Sequence, residues 1–204
     1  MTVSNSLSSD ELGSAAQRER RKRILDATIA LASEGGFDAV QMRSVADHAE
    51  VALGTLYRYF PSKIHLLVSA LGREFERAEA QFAQREIPGD TAAERVVNVL
   101  KTTSRGVRGD AHLTEALTRA FMFADASVRT EIDHVGMLMT RMVTRAMDPT
   151  RDAAGDELSE ADIAIAQVIG DVWLSALVGW VTGRATVAET SQKIEVAVGL
   201  LLRD

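Results

Sequence analysis

Apolar residues recur along this chain with the 3.6-residue period of helices, and no stretch alternates as a strand would. Ile24, Ala27, Thr28 and Leu31 fall at i, i+3, i+4 and i+7 and predict a first helix over about 15–34. Gly35-Gly36 closes it, supplying the left-handed residue that commonly follows a last helical turn. Short helices follow near 42–49 and 53–59. Pro61-Ser62 then opens a long one over 62–86, with Ser62 as its N-cap. Ile87-Pro88-Gly89-Asp90 is the clearest breaker in the chain. Beyond it the pattern predicts helices over 91–108, 110–124, 125–147, 159–184 and 187–203. In the third of these, Val135, Leu138, Met139, Met142 and Ala146 form a core stripe. Residues 1–13 are Ser-rich and without period, and are expected to be a disordered tail. The fold class is all-α, with about nine helices. A three-helix unit over 14–63 precedes a larger helical domain over 64–204, and the helix over 62–86 connects them.

Composition narrows the function classes. Across 204 residues, 46% are hydrophobic but only 5% aromatic, which favours helix over sheet. With no cysteine, disulfides and thiolate chemistry are excluded. His48, His65, His112 and His134 share no metal-ligand spacing, and no nucleophile elbow, phosphate loop or carboxylate pair stands out. An enzyme, a metal site and a bound cofactor are therefore not expected. The N-terminus lacks a signal-peptide core and no apolar run approaches the roughly 18 residues of a membrane span. A cytoplasmic protein without a membrane partner is expected.

The net charge of −6 argues against nucleic acid until it is divided. Residues 14–63 hold 8 Lys/Arg against 6 Asp/Glu, whereas residues 64–204 hold 15 against 21. A mildly basic front permits DNA binding without demanding it.

The segment from Gln41 to Lys63 has the grammar of a helix-turn-helix. Val45, Ala46 and Ala49 give the first short helix an inward face, and Val51 plugs the turn. Leu53, Leu56 and Phe60 back the second. That leaves Thr55, Tyr57 and Arg58 outward, while Gly54 lets the backbone approach another molecule. A recognition helix needs such an apolar back and polar front. Thr and Arg reach base edges or phosphates, and Tyr hydroxyls anchor phosphates. Lys63, in the first turn of the next helix, adds its charge to free backbone N–H groups and makes a phosphate seat. Gln41, Arg43, Ser44 and Tyr59 complete the candidate DNA-contacting set. The apolar pattern alone would serve equally well for a three-helix packing unit with no ligand. The run Arg18-Glu19-Arg20-Arg21-Lys22-Arg23 is the densest basic cluster. Arg20 and Lys22 are assigned to phosphate or minor-groove contact from a tail that orders on DNA.

The first helix, the Gly-Gly-Phe turn and above all GTLYRYFPSK resemble the N-terminal signature of TetR-type repressors, over roughly 24–67. The resemblance implies a homodimer on palindromic double-stranded operator DNA that responds to a small-molecule effector. Gln41 stands where the family often has Thr. The blocks AQRERRKRILDATIALASEGGFDAVQMRSVADHAEVALGTLYRYFPSKIHLLVSALGREF, LTEALTRAFMFADAS and DVWLSALVGW are similar, more narrowly, to TetR-type repressors of cholesterol catabolism. That implies release from DNA by a steroid CoA thioester.

An apolar effector suits the soft residues Leu117, Phe121, Met122, Met139 and Met142, although each serves equally as core filling. Trp173, Leu177 and Trp180 share one helix face, which either lines the pocket or packs a dimer. Trp173 and Leu177 are assigned to the pocket. Trp180, with Ile194, Val198 and Leu201, is assigned to the dimer interface. A charged CoA group would have to stay at the pocket mouth, and Arg119, Arg141 and Arg145 are the candidates to meet it.

Overall fold

The computed structural model describes residues 9–150 and 158–203, and the described residues form nine α-helices and no strand. In order they are α1 (Ser9–Ala39), α2 (Met42–His48), α3 (Leu53–Tyr59), α4 (Lys63–Ala83), α5 (Ala92–Arg108), α6 (Ala111–Met122), α7 (Arg129–Met147), α8 (Glu160–Val181) and α9 (Val187–Leu201). A single 3-10 turn, Ala126–Val128, leads into α7. The expected order of helices is the observed one. Residues 1–8 of the expected tail lie outside the described residues, while 9–13 are helical, as is the basic run 18–23. That run is thus part of a formed helix and not a tail.

Caps set most of the boundaries. Ser62, Asp110, Ser159 and Thr186 each accept a backbone N–H in the first turn of α4, α6, α8 and α9. At α9 the device is reciprocal, since Glu189 returns a bond to the Thr186 N–H. The hydrogen bonds from Thr186 hold the exposed Glu189 carboxyl below its usual pKa.

The glycine pair does something other than end a helix. Gly36 sits at φ 68, ψ −158, a combination open essentially to glycine alone, and the chain coils again as far as Ala39. A Cβ there would lie 2.7 Å from a carboxylate oxygen of Glu115 on α6. The kink brings the end of α1 against α6.

One core runs through the described residues. Ile24, Leu25, Val45 and Leu56 bury the three N-terminal helices against Leu66 and Leu67 of α4, all at 0–1% exposure. Farther along, Val96, Leu100, Leu138, Met142, Ile169 and Trp173 fill the larger bundle. Leu53, expected at the back of α3, is 36% exposed. By length and composition α8 is apolar enough to cross a membrane. That corrects the expectation that no run approaches a span. Here Ala166, Ile169, Trp173, Ala176 and Leu177 of α8 are buried within the bundle, and Asp171 interrupts its apolar surface.

Candidate functional site

The outward face of the helix-turn-helix is the first part of the site. Val45 and Ala46 of α2 and Leu56 of α3 are buried at 0–2%, and Phe60 just beyond α3 is buried with them. Glu50 turns the chain at φ 53, and the Val51 N–H donates to the Ala46 carbonyl at 3.0 Å. With its back held, α3 leaves Gly54, Tyr57 and Arg58 exposed and Thr55 half-buried. Gln41, just before α2, and Arg43 on it are exposed, and Ser44 is half-buried. Tyr59 is likewise half-buried, packed against the core with its ring centroid 6.4 Å from that of Phe60. On α1, Lys22 is exposed and Arg20 half-buried, and the Lys22 carbonyl accepts from Arg73 at 3.3 Å.

A cavity in the larger bundle is the second part. It holds about 180 Å³, walled by Leu71 and Phe75 of α4, Leu117 and Phe121 of α6, Val135 and Met139 of α7, and Trp173 and Leu177 of α8. The Trp173 Nε1–H donates to the Ser104 hydroxyl at 2.9 Å, and the Phe75 ring meets the indole edge-on at 5.9 Å. A buried indole N–H needs such a partner, so the bond fixes the wall. The polar rim consists of Gln167 and Asp171, one turn apart and both exposed, with Thr140 beside them.

The helix between the two parts is α6. Thr114, Leu117, Thr118 and Phe121 face the cavity. His112, Glu115 and Arg119 lie on the opposite side of the same helix, given about 100° per residue, and all three grip the end of α1. His112 Nδ1 lies 3.2 Å from the Ser33 carbonyl. The Phe37 N–H donates to Glu115 Oε2 at 2.8 Å, and Arg119 pairs with Asp38 at 3.4 Å. Two cations share the Phe37 ring: Lys63 Nζ is 3.9 Å and the Arg119 guanidinium 4.5 Å from its centroid. Burial pushes the Lys63 pKa down, Asp38 and Glu115 oppose that, and Arg119 adds to it. Lys63 does open α4 beside its Ser62 cap, but its ammonium rests on Phe37.

Several expected site residues sit elsewhere. Arg119 joins α6 to the N-terminal unit. Arg141 lies 3.7 Å from Glu79, and Arg145 donates to the Ala83 carbonyl at 3.2 Å; none of the three lines the cavity. Their long stems carry the charge away from the apolar stripe beneath. Met142 is core filling at 2% exposure, whereas Met122 is 54% exposed at the end of α6. Ile194 and Val198, expected at a dimer interface, are buried at 4% and 1% inside their own chain. Trp180 and Leu201 are half-buried, and the large exposed apolar residues of these last helices are Val168, Val187, Val196 and Leu200. Phe37, Glu115, Leu71 and Phe75 were missed. Glu115 carries a signal, being a lone acid on α6 three residues beyond His112 and four before Arg119.

Because Tyr57 and Arg58 are exposed and touch little of the core, their removal isolates binding from folding. The double variant Tyr57→Ala/Arg58→Ala should keep its thermal unfolding midpoint and lose at least about 1–3 kcal/mol of operator binding. Gel-shift titration beside a melting curve reads both, and unchanged affinity would refute the reading face.

Comparison with known proteins places these features. Residues 24–70 match the family described as bacterial regulatory proteins, tetR family, and residues 89–201 match the tetracyclin repressor-like C-terminal domain. The chain is 54% identical to the HTH-type transcriptional repressor KstR of Rhodococcus jostii (strain RHA1), covering 97% of this chain and 90% of that protein. It is 55% identical to the KstR of Mycolicibacterium smegmatis (strain ATCC 700084 / mc(2)155), over 96% and 93% respectively. A TetR transcriptional regulator from Rhodococcus sp. RHA1, known by crystal structure, superposes with a TM-score of 0.82 at 28% identity, over 93% of this chain and 98% of that one. Thermus thermophilus FadR, a TetR-family repressor crystallised with lauroyl-CoA, superposes with a TM-score of 0.67 at 17% identity, over 89% and 93%. A reading face, an apolar cavity and a helix shared by both belong together in one class of protein, and this chain is a member of the TetR family of transcriptional regulators.

Proposed function

We propose that this chain is a dimeric repressor of sterol-catabolism genes, released from a palindromic operator by a steroid CoA thioester. One observation carries the ligand-responsive part: α6 presents Leu117 and Phe121 to the cavity while its opposite side holds the end of α1 through Glu115 and Arg119. A molecule filling the cavity must press on α6, and α6 is bonded to the unit that bears the reading face. The effector shifts the equilibrium only by its differential affinity for the two arrangements, typically about 1–3 kcal/mol.

Repression, and not activation, is the reading supported by the names of the relatives sharing more than half their residues with this chain. Sterol catabolism follows from the sequence blocks that resemble repressors of cholesterol breakdown. A CoA thioester follows from the same resemblance, and the T. thermophilus protein shows that this fold accommodates one. In this reading residues 14–63 bind DNA and 64–204 bind effector and partner, and the protein acts on the nucleoid in the cytoplasm.

Dimerisation is assigned to the outward faces of α8 and α9. Val196 and Leu200, at 55% and 56% exposure, stand four residues apart on α9, and Val168 is exposed on α8. Ile194 and Val198 hold α9 onto its own bundle and so present that face. Two recognition helices from one such dimer reach successive major grooves.

Two measurements test the proposal. In sedimentation, Leu200→Glu should shift a dimer to monomer, because a charge would be buried against an apolar partner; an unchanged dimer would exclude this face. In operator-release titrations, a cholesterol-derived acyl-CoA should act at lower concentration than its free acid. Equal potency, or no response to either, would refute the thioester.

A further inference from the structure

The cavity beside Trp173 has a neighbouring chamber. This second one, of about 210 Å³, lies between α4, α5 and α6 and shares with the first the wall of Leu71, Phe75, Thr114 and Leu117. Pockets for drug-sized molecules span roughly 300–1,000 Å³. At about 180 and 210 Å³, each chamber alone falls short of that range.

The chambers differ in charge. Among the described residues, the only charged one lining the first is Asp171, which is exposed. An anionic group leaving there meets a like charge, and no cation among the described lining residues. The second is lined by Arg77 and Gln81 of α4, one turn apart and both exposed, and by Thr102 and Thr103 of α5. Arg77 is now held by Glu74, which lines the same chamber, at 2.6 Å, with Asp26 at 4.0 Å. Its side chain is 51% exposed, and an exposed pair of this kind is weak and readily exchanged for a better acceptor. A sulfonate, carboxylate or phosphate entering the chamber would offer the guanidinium a bidentate partner that one oxygen of Glu74 does not.

We infer that the effector lies across both chambers, its apolar body against Trp173 and Met139 and its anionic end in the second chamber on Arg77, with Gln81 beside it. This rests on the effector-cavity reading above and adds its direction. Glu74 acts as the stand-in anion that the effector displaces.

Two fluorescent probes of the same ring system separate the possibilities: 1-anilinonaphthalene-8-sulfonate, and N-phenyl-1-naphthylamine, which lacks the sulfonate. The protein has two tryptophans, so a Trp180→Phe background leaves Trp173 as the sole indole, and energy transfer from it reports the first chamber. The sulfonate should bind about tenfold more tightly than the neutral probe, the value of one charge-assisted hydrogen bond. Arg77→Gln should abolish that preference, Glu74→Gln should increase it, and Asp171→Asn should leave it unchanged, with the neutral probe insensitive to all three. Equal binding of the probes, an indifferent Arg77→Gln, or a preference governed by Asp171 would overturn the direction while keeping the cavity. No energy transfer from Trp173 to either probe would overturn the cavity reading itself, and the direction with it.

Discussion

The arrangement depends on one carboxylate reaching one backbone amide. Glu115 of α6 accepts the Phe37 N–H at 2.8 Å only because the chain at Gly36 has neither a Cβ nor an ordinary backbone angle. Around that bond assemble Arg119 on Asp38, His112 on the Ser33 carbonyl, and two cations on the Phe37 ring. Each contact is modest. Exposed ion pairs contribute about 0–1 kcal/mol, and a cation over an aromatic ring at a partly buried site about 0.5–2. Such a junction holds one orientation of the N-terminal unit, yet lies within the energy that an effector can supply.

Lys63 shows how finely the junction is poised. Desolvation disfavours its charge and Arg119 adds repulsion, while Asp38 and Glu115 oppose these without cancelling them, so its pKa stays lowered. The same side chain opens α4 immediately after α3 and its Phe60-Pro61 exit, where a phosphate contact would be useful. A shift of α6 that withdraws Glu115 and Arg119 changes both the partners and the position of Lys63. The cavity wall and the reading face are linked here through packed, bonded groups on a single helix. That is a physical basis for coupling, and not spatial proximity alone.

The helices were legible in the sequence because their signals are local. Period, caps and breakers placed α3 at its observed bounds and put most other ends within three residues of the observed ones. What was not legible depended on direction and partner. An apolar stripe on α9 says that something covers it. Ile194 and Val198 are covered by their own chain, whereas Val196 and Leu200 remain exposed, and the 3.6 period alone does not tell these faces apart. Arginines were misassigned because their stems are long: Arg119, Arg141 and Arg145 follow apolar helices but direct their charge to Asp38, Glu79 and the Ala83 carbonyl. Gly36 was read as a stop because the commonest use of glycine after a helix is a cap. Its actual use, close approach by Glu115, requires a partner 79 positions away in the chain.

The central claim is that the α1-facing side of α6 transmits occupancy of the cavity to the reading face. It is tested most directly by measuring operator affinity with and without a saturating cholesterol-derived acyl-CoA, in the parent protein and in Glu115→Gln. The ratio of the two affinities is the coupling, and linkage makes it the same from either side. The account predicts that Glu115→Gln brings this ratio toward one while acyl-CoA affinity in the absence of DNA stays within about twofold, since Glu115 does not line the cavity. A ratio unchanged from the parent would contradict it.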